Sequence, residues 1–161
     1  MAGGAGLSVF VMNDAVAIGV GALGGALSRY QCGRMAADWV ATDPARLGRF
    51  QGWHTALINI GGSFILGGVT GAPTLGLCSK VSPSSNTHMQ SSAFGMTPRT
   101  KLMMGVGFCG SFTTFSTYSV DIANWLAQGK TTKVFSYIAV NNVGGIVAAA
   151  AGMILVKKMF G

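Results

Sequence analysis

Glutamate is missing from this chain altogether, and its only acids are Asp14, Asp38, Asp43 and Asp121. Charged residues of both signs make up 9% of the 161 residues, against about 25% in soluble globular domains. Such a shortage leaves too little polar surface to cover a domain in water. With half of the residues apolar and a mean hydropathy of +0.49, the composition suits a bilayer. The length fits one domain. Cysteine is scarce as well: Cys32, Cys78 and Cys109 are odd in number and show no CxxC spacing, which excludes a disulfide framework and a zinc site. His54 and His88 stand alone. No nucleophile–base pair and no metal-ligand spacing occurs, so an enzyme is not expected. The N-terminus lacks a basic n-region, so no cleavable signal peptide is expected.

The net charge of +7 raises the question of nucleic acid. The Lys and Arg residues, however, are scattered over the junctions between apolar runs, with no cluster longer than Lys157-Lys158. Cations flanking membrane spans explain them, and nucleic acid is not an expected partner.

Four apolar stretches follow: residues 15–29, extended on one side by 7–12 and on the other by amphipathic turns to Val40, then 53–71, 102–126 and 134–156. Each approaches the roughly 20 residues that cross about 30 Å of hydrocarbon. Trp39, Trp53 and Trp125 fall at their ends, where amphipathic rings favour the membrane interface. The expected fold is thus an all-α membrane protein of four transmembrane helices in one domain. Residues 72–99, rich in Ser, Pro, Thr and Gly and without periodicity, read as an exposed loop. Gly21/Gly25 and Gly67/Gly71 have the GxxxG spacing of close helix contact. Gly19, Gly21 and Gly24 fit a dinucleotide fingerprint, but no strand precedes them, and helix packing is the reading.

Four spans put both termini and the 72–99 loop on one side of the membrane. That side carries Lys80, Arg99, Lys101, Lys157 and Lys158, and the other carries Arg29, Arg34, Arg46, Arg49, Lys130 and Lys133. Orientation follows the Lys/Arg bias of short loops. Here the bias nearly vanishes, so insertion in both orientations is expected.

Lipid cannot satisfy polar side chains, so those within spans face a partner helix or a cavity. Thr55, Asn59 and Ser63 recur every four residues on one helical face. Tyr137, Asn141 and Asn142 lie in the fourth span. The third carries GFCGSFTTFSTYS, residues 107–119, dense in hydroxyls and free of charge. Interhelical hydrogen bonding explains any one of them, whereas a whole aligned stripe favours a permeation path. Asp14 and Asp121 lie near predicted span ends, so no mid-span carboxylate is expected. A proton-coupled antiporter normally needs one, and a metal-cation channel wants acidic rings. Neutral amides, hydroxyls and the positive edges of aromatic rings suit an anion.

GFCGSFTTFSTYS resembles the third-span signature of the Fluc/CrcB fluoride channels, a G-x-x-T-T-F-S-T-[FY]-S pattern. GALGGALSRY at 21–30 and NIGGSF at 59–64 fit further pieces in order. The resemblance implies an antiparallel, dual-topology homodimer in the lipid bilayer, with the third helix broken at the motif. It implies a structural Na⁺ at the dimer centre, held by backbone carbonyls of Gly110 and Thr113. The aromatic pore walls become Phe115 and Tyr118, the pore amide Asn59, and the first-span arginine Arg29. Ser116, Thr117, Thr55 and Asn141 complete the polar track. Tyr118 stands where many members carry Phe, and Asn141 where they commonly carry Ser. Residues 72–99 have no counterpart in the compact family pattern.

The implied function is passive fluoride export that relieves fluoride toxicity, in a multi-pass protein of the cell membrane. Burying a small ion at low dielectric costs on the order of 20 kcal/mol in the idealised limit, so a dense row of donors is needed. The alternative is a small dual-topology four-helix drug or cation transporter, against which the missing mid-span carboxylate speaks. A structural membrane subunit, the third class, predicts no ion flux.

Overall fold

The computed structural model describes residues 3–74 and 95–160, and every regular element among them is helical. Most of the 72–99 loop, with Cys78, Lys80 and His88, lies outside the described residues. Helix α1 runs unbroken over Gly3–Thr42, 40 residues, or about 60 Å at 1.5 Å per residue. The apolar run and both of its expected extensions are therefore one helix. It ends where Asp43 precedes Pro44, because the proline ring disfavours helical backbone in the residue before it. Asp43 then caps the short α2, Pro44–Leu47, its carboxylate accepting from the Arg46 amide at 3.2 Å. A 3₁₀ turn, Gly48–Phe50, leads to Gly52 with φ of +87°. That left-handed conformation favours glycine, and a Cβ there would also meet the Trp125 ring at 2.7 Å.

Helix α3, Trp53–Gly71, stops before Ala72 and Pro73, with Ala72 already extended. Beyond the undescribed segment, Met96 N–H donates to the Pro73 carbonyl at 2.9 Å, pinning the two ends of the loop together. Lys101 Nζ donates to the Ala72 carbonyl at 2.6 Å, and Arg99 pairs with Asp14 of α1 at 3.4 Å. Helix α4, Pro98–Lys101, passes into a π-helical segment, Leu102–Cys109, and then α5, Gly110–Phe112. The helical run stops at Thr113 and Thr114, both in extended backbone, and resumes as α6, Phe115–Ala127. Gly129, at φ of +70°, closes α6, with Lys130 N–H donating to the Trp125 carbonyl at 2.9 Å. The chain ends in α7, Thr131–Phe160. Among the described residues α7 alone is long and apolar enough, by length and composition, to cross a membrane.

Glycines set the packing. A Cβ on Gly67 would strike the Ala149 carbonyl, one on Gly71 the Met153 carbonyl at 2.7 Å, and one on Gly152 the Phe64 carbonyl. Gly67 and Ala149 are separated by the same 82 residues as the hydrogen-bonded pair Asn59 and Asn141, so α3 and α7 lie parallel and in register. Gly21 and Gly25 similarly abut the backbone of Met103 and Phe108, and Gly107 abuts Ile18, which sets α1 against the π-helical segment. Both GxxxG pairs thus serve contacts within one chain. On α6, Phe115 is 79% exposed.

Two of the tryptophans at the helix ends pack inward. Trp125 is buried and meets fully buried Tyr137 edge-on at 4.8 Å between ring centres, while Trp53 meets the same ring at 5.8 Å. Only Trp39 is strongly exposed, beside Phe50. A ring with a large apolar area is buried where a helix crossing offers it a matching partner.

Candidate functional site

The interruption at Thr113 and Thr114 is built from local chemistry and two distant side chains. Thr114 caps α6, its hydroxyl accepting from the Thr117 amide at 3.2 Å. Such a cap suits a β-branched hydroxyl residue in extended backbone. Thr113 turns its hydroxyl back to the Cys109 carbonyl at 2.9 Å. The Thr114 amide, which in a continuous helix would donate to the Gly110 carbonyl, donates instead to Asn59 Oδ1 at 2.9 Å. The Gly110 carbonyl is thereby released from the helical ladder. Arg29, 84 residues away on α1, donates Nη1 to the Thr113 carbonyl at 3.3 Å. Beside the interruption lies a cavity of about 280 Å³, whose polar lining is Asn59, Ser63, Thr113 and Thr114, with Phe115 at its edge.

Two polar levels rise along the parallel α3 and α7. At the first, Asn59 Nδ2 donates to Asn141 Oδ1 at 3.0 Å and to the Thr114 carbonyl at 3.3 Å, while Asn141 Nδ2 donates to the Tyr137 carbonyl at 3.0 Å. One turn toward Trp53 is the second level, where the Asp121 carboxylate accepts from Tyr137 OH at 3.0 Å and from Thr55 Oγ1 at 3.4 Å. Tyr118 stacks on Tyr137 with centres 5.4 Å apart and leans toward Phe115 at 5.7 Å. Its hydroxyl accepts from Asn142 Nδ2 at 3.2 Å. Above this level Lys133 lies 4.0 Å over the Trp125 ring and donates to the Gln51 carbonyl.

Of the residues expected at the site, Arg29, Asn59, Gly110, Thr113, Ser116, Thr117 and Asn141 gather around the interruption. Thr55 and Tyr118 sit at the Asp121 level. Phe115 touches Tyr118 but turns most of its ring outward. Ser116 faces the Thr114 hydroxyl at 3.2 Å, and Thr117 takes part in the cap. Two members were missed. Tyr137 was seen only as one of several polar residues, although it joins both levels. Asp121 was placed near a span end, yet its carboxylate turns inward onto α3 and α7. The signal was its position three residues after Tyr118, on the same helical face.

The site's backbone and side chains offer neutral N–H and O–H donors beside one guanidinium and one carboxylate. The freed Gly110 carbonyl and the Thr113 carbonyl are hard oxygen donors of the kind a small cation favours. No cluster of three or more His, Cys, Asp or Glu occurs among the described residues, so a cation here would rest on carbonyl oxygens.

Residues 16–153 match the family model described as CrcB-like protein, Camphor Resistance. The chain is 30% identical over 149 residues to the fluoride-specific ion channel FluC of Gloeobacter violaceus, covering 92% of this chain and 100% of that protein. It is 31% identical over 140 residues to FluC 1 of Symbiobacterium thermophilum, covering 87% and 94%. Identity to the FluC of Sphingopyxis alaskensis is 29% over 148 residues, covering 92% and 98%. A match running through all the packed helices and the interruption at 113–114 makes this chain a member of the CrcB-like family.

Proposed function

We propose that this protein is a passive, fluoride-selective channel that lets F⁻ leave the cell and so relieves fluoride toxicity. The observation that carries the proposal is the end-to-end similarity to relatives named fluoride-specific ion channels. The site agrees with it chemically. A helix resuming at Phe115 presents the positive end of its dipole toward the interruption, and Ser116, Thr117, Tyr118 and Asn141 supply neutral donors nearby. Such donors replace water around a small anion. The protein is a transporter of ions and carries out no enzymatic reaction.

In this reading α1, α3, the broken run from α4 to α6, and α7 are the four spans of an integral membrane protein of the cell membrane. Two copies associate antiparallel. Phe115, largely exposed on α6, supports a partner there, because an exposed aromatic ring beside a polar track leaves that track with a missing wall. Phe115 and Tyr118 line the path by their ring edges, and Thr55, Asn59, Ser116, Thr117 and Asn141 form its polar side. Arg29 adds positive potential at the break. Gly110 and Thr113 hold a structural Na⁺ through their carbonyls at the dimer centre, and the ion supplies positive charge that ties the broken backbone of the two copies together. The Thr113 carbonyl also accepts from Arg29; a carbonyl has two lone pairs, so both contacts fit.

Fluoride efflux from liposomes containing the purified protein tests the proposal, with chloride-loaded liposomes as the control. Fluoride is expected to leave and chloride to stay. Equal rates for the two ions, or no flux, would refute it.

A further inference from the structure

We infer that Asn59 acts as the clamp that keeps the helix interrupted at Thr113–Thr114, a positioning residue for conduction rather than a group that binds the ion. The inference rests on the channel reading above and concerns how one of its residues works.

A primary amide has one carbonyl oxygen and two N–H donors. In Asn59 all are engaged. Oδ1 accepts from the Thr114 amide at 2.9 Å, and Nδ2 donates to the Thr114 carbonyl at 3.3 Å and to Asn141 Oδ1 at 3.0 Å. No N–H remains to offer an anion. The two bonds to Thr114 reproduce, from a side chain, the paired exchange that a neighbouring strand makes with one residue. They satisfy an N–H and a carbonyl in the two-residue stretch where the helix supplies no partner, as buried backbone groups require.

The alternative partner for the Thr114 amide is the Gly110 carbonyl, four residues back. Were that bond made, α5 and α6 would join into one helix. The Gly110 carbonyl would return to the ladder, and the Thr114 hydroxyl would lose its capping position. Asn59 diverts the amide and so keeps both features. Asn141 holds the clamp in the productive orientation. It is buried, anchored by its own donation to the Tyr137 carbonyl, and presents Oδ1 to Asn59 Nδ2. Reversing the Asn59 amide would set donor against donor at Thr114 and acceptor against acceptor at Asn141. Donors left for the ion at this level are the second N–H of Asn141 and the hydroxyls on α6.

Amide exchange at Thr114 is the readout, measured by NMR on full-length protein labelled with ¹⁵N-threonine and without fluoride. It is compared with fluoride efflux from liposomes. Asn59→Ser keeps a hydroxyl donor at the position but cannot span Thr114. It is expected to raise Thr114 exchange by about ten-fold or more and to lower flux by a similar factor. Unchanged Thr114 exchange in Asn59→Ser overturns the clamp whatever the flux does. So does increased exchange with undiminished flux. If Asn59→Ser does not fold, Asn59→Gln decides: its amide sits one methylene farther out and cannot meet both groups of Thr114, so Thr114 exchange should rise, and exchange at the wild-type rate refutes the clamp. Wild-type protein that passes no fluoride would sink the channel reading alone, since Thr114 protection is measured independently of transport.

Discussion

Tyr137, the most deeply buried large side chain, donates its hydroxyl at 3.0 Å to Asp121, sixteen residues earlier on α6. Thr55 of α3 donates to the same carboxylate oxygen. One acid thus joins three helices, and α6 is held to the bundle here, through the Trp125 ring and through Tyr118 stacked on Tyr137.

Removing the shared acceptor should therefore be costly. Asp121→Ala leaves the Tyr137 and Thr55 hydroxyls without their partner, and is expected to destabilise the fold by about 1–3 kcal/mol. Asp121→Asn retains an oxygen acceptor and should cost clearly less. Thermal unfolding of the two variants in detergent measures the difference. Equal destabilisation by both would mean that charge, not hydrogen bonding, holds α6.

The glycine contacts assign a location to a second effect. Because Gly67 abuts the Ala149 carbonyl within the same chain, Gly67→Leu must push α3 from α7. Overpacking of this kind costs typically about 1–3 kcal/mol. Loss is expected in the melting temperature, with the dimer still formed when sized in detergent. A variant that melts like wild type but dissociates into monomers would move this contact to a chain–chain interface.

Aromatic edges and aromatic bulk separate at Phe115. Its ring is mostly exposed and touches Tyr118, so Phe115→Ile removes little packing while abolishing the positive ring edge. A folded protein with fluoride flux reduced by about ten-fold or more, some 1.4 kcal/mol in the barrier, is expected from liposome efflux. Tyr118→Phe loses a hydroxyl that accepts from Asn142 but keeps the ring edge, and should stay active. Wild-type flux in Phe115→Ile would return this ring to a packing role.

Orientation in the membrane gives the fourth test. With cations nearly balanced between the two sides, a unique cysteine placed in the 72–99 loop, on a background without native cysteines, should react comparably from either face of the membrane. Labelling from one face only would rule out dual insertion.

The interruption illustrates what was legible in the residues and what was not. The consecutive threonines 113 and 114 are β-branched and carry hydroxyls able to cap a helix, but a break there was implied by the resemblance of the third-span motif and not by any periodicity. The polar stripe Thr55, Asn59 and Ser63 was equally visible, because a spacing of four is a property of one helix. Helix limits at Trp53 and at the Ala72-Pro73 junction follow from local backbone chemistry in the same way.

Partnerships across long separations were beyond such reasoning. That Asn59 grips Thr114, and that Arg29 reaches the Thr113 carbonyl, depends on the side-by-side placement of α1, α3 and the broken run. The inward turn of Asp121 and the burial of Trp125 depend on how α6 docks, which no periodicity encodes. The sequence by itself determined which stretches are helical and which residue types are available in each, while the place of the break rested on the resemblance of the third-span motif. Only the tertiary structure decided which groups meet, because hydrogen bonds and ring contacts are short-ranged, and close packing through Gly67, Gly71 and Gly152 sets the register that brings them within range.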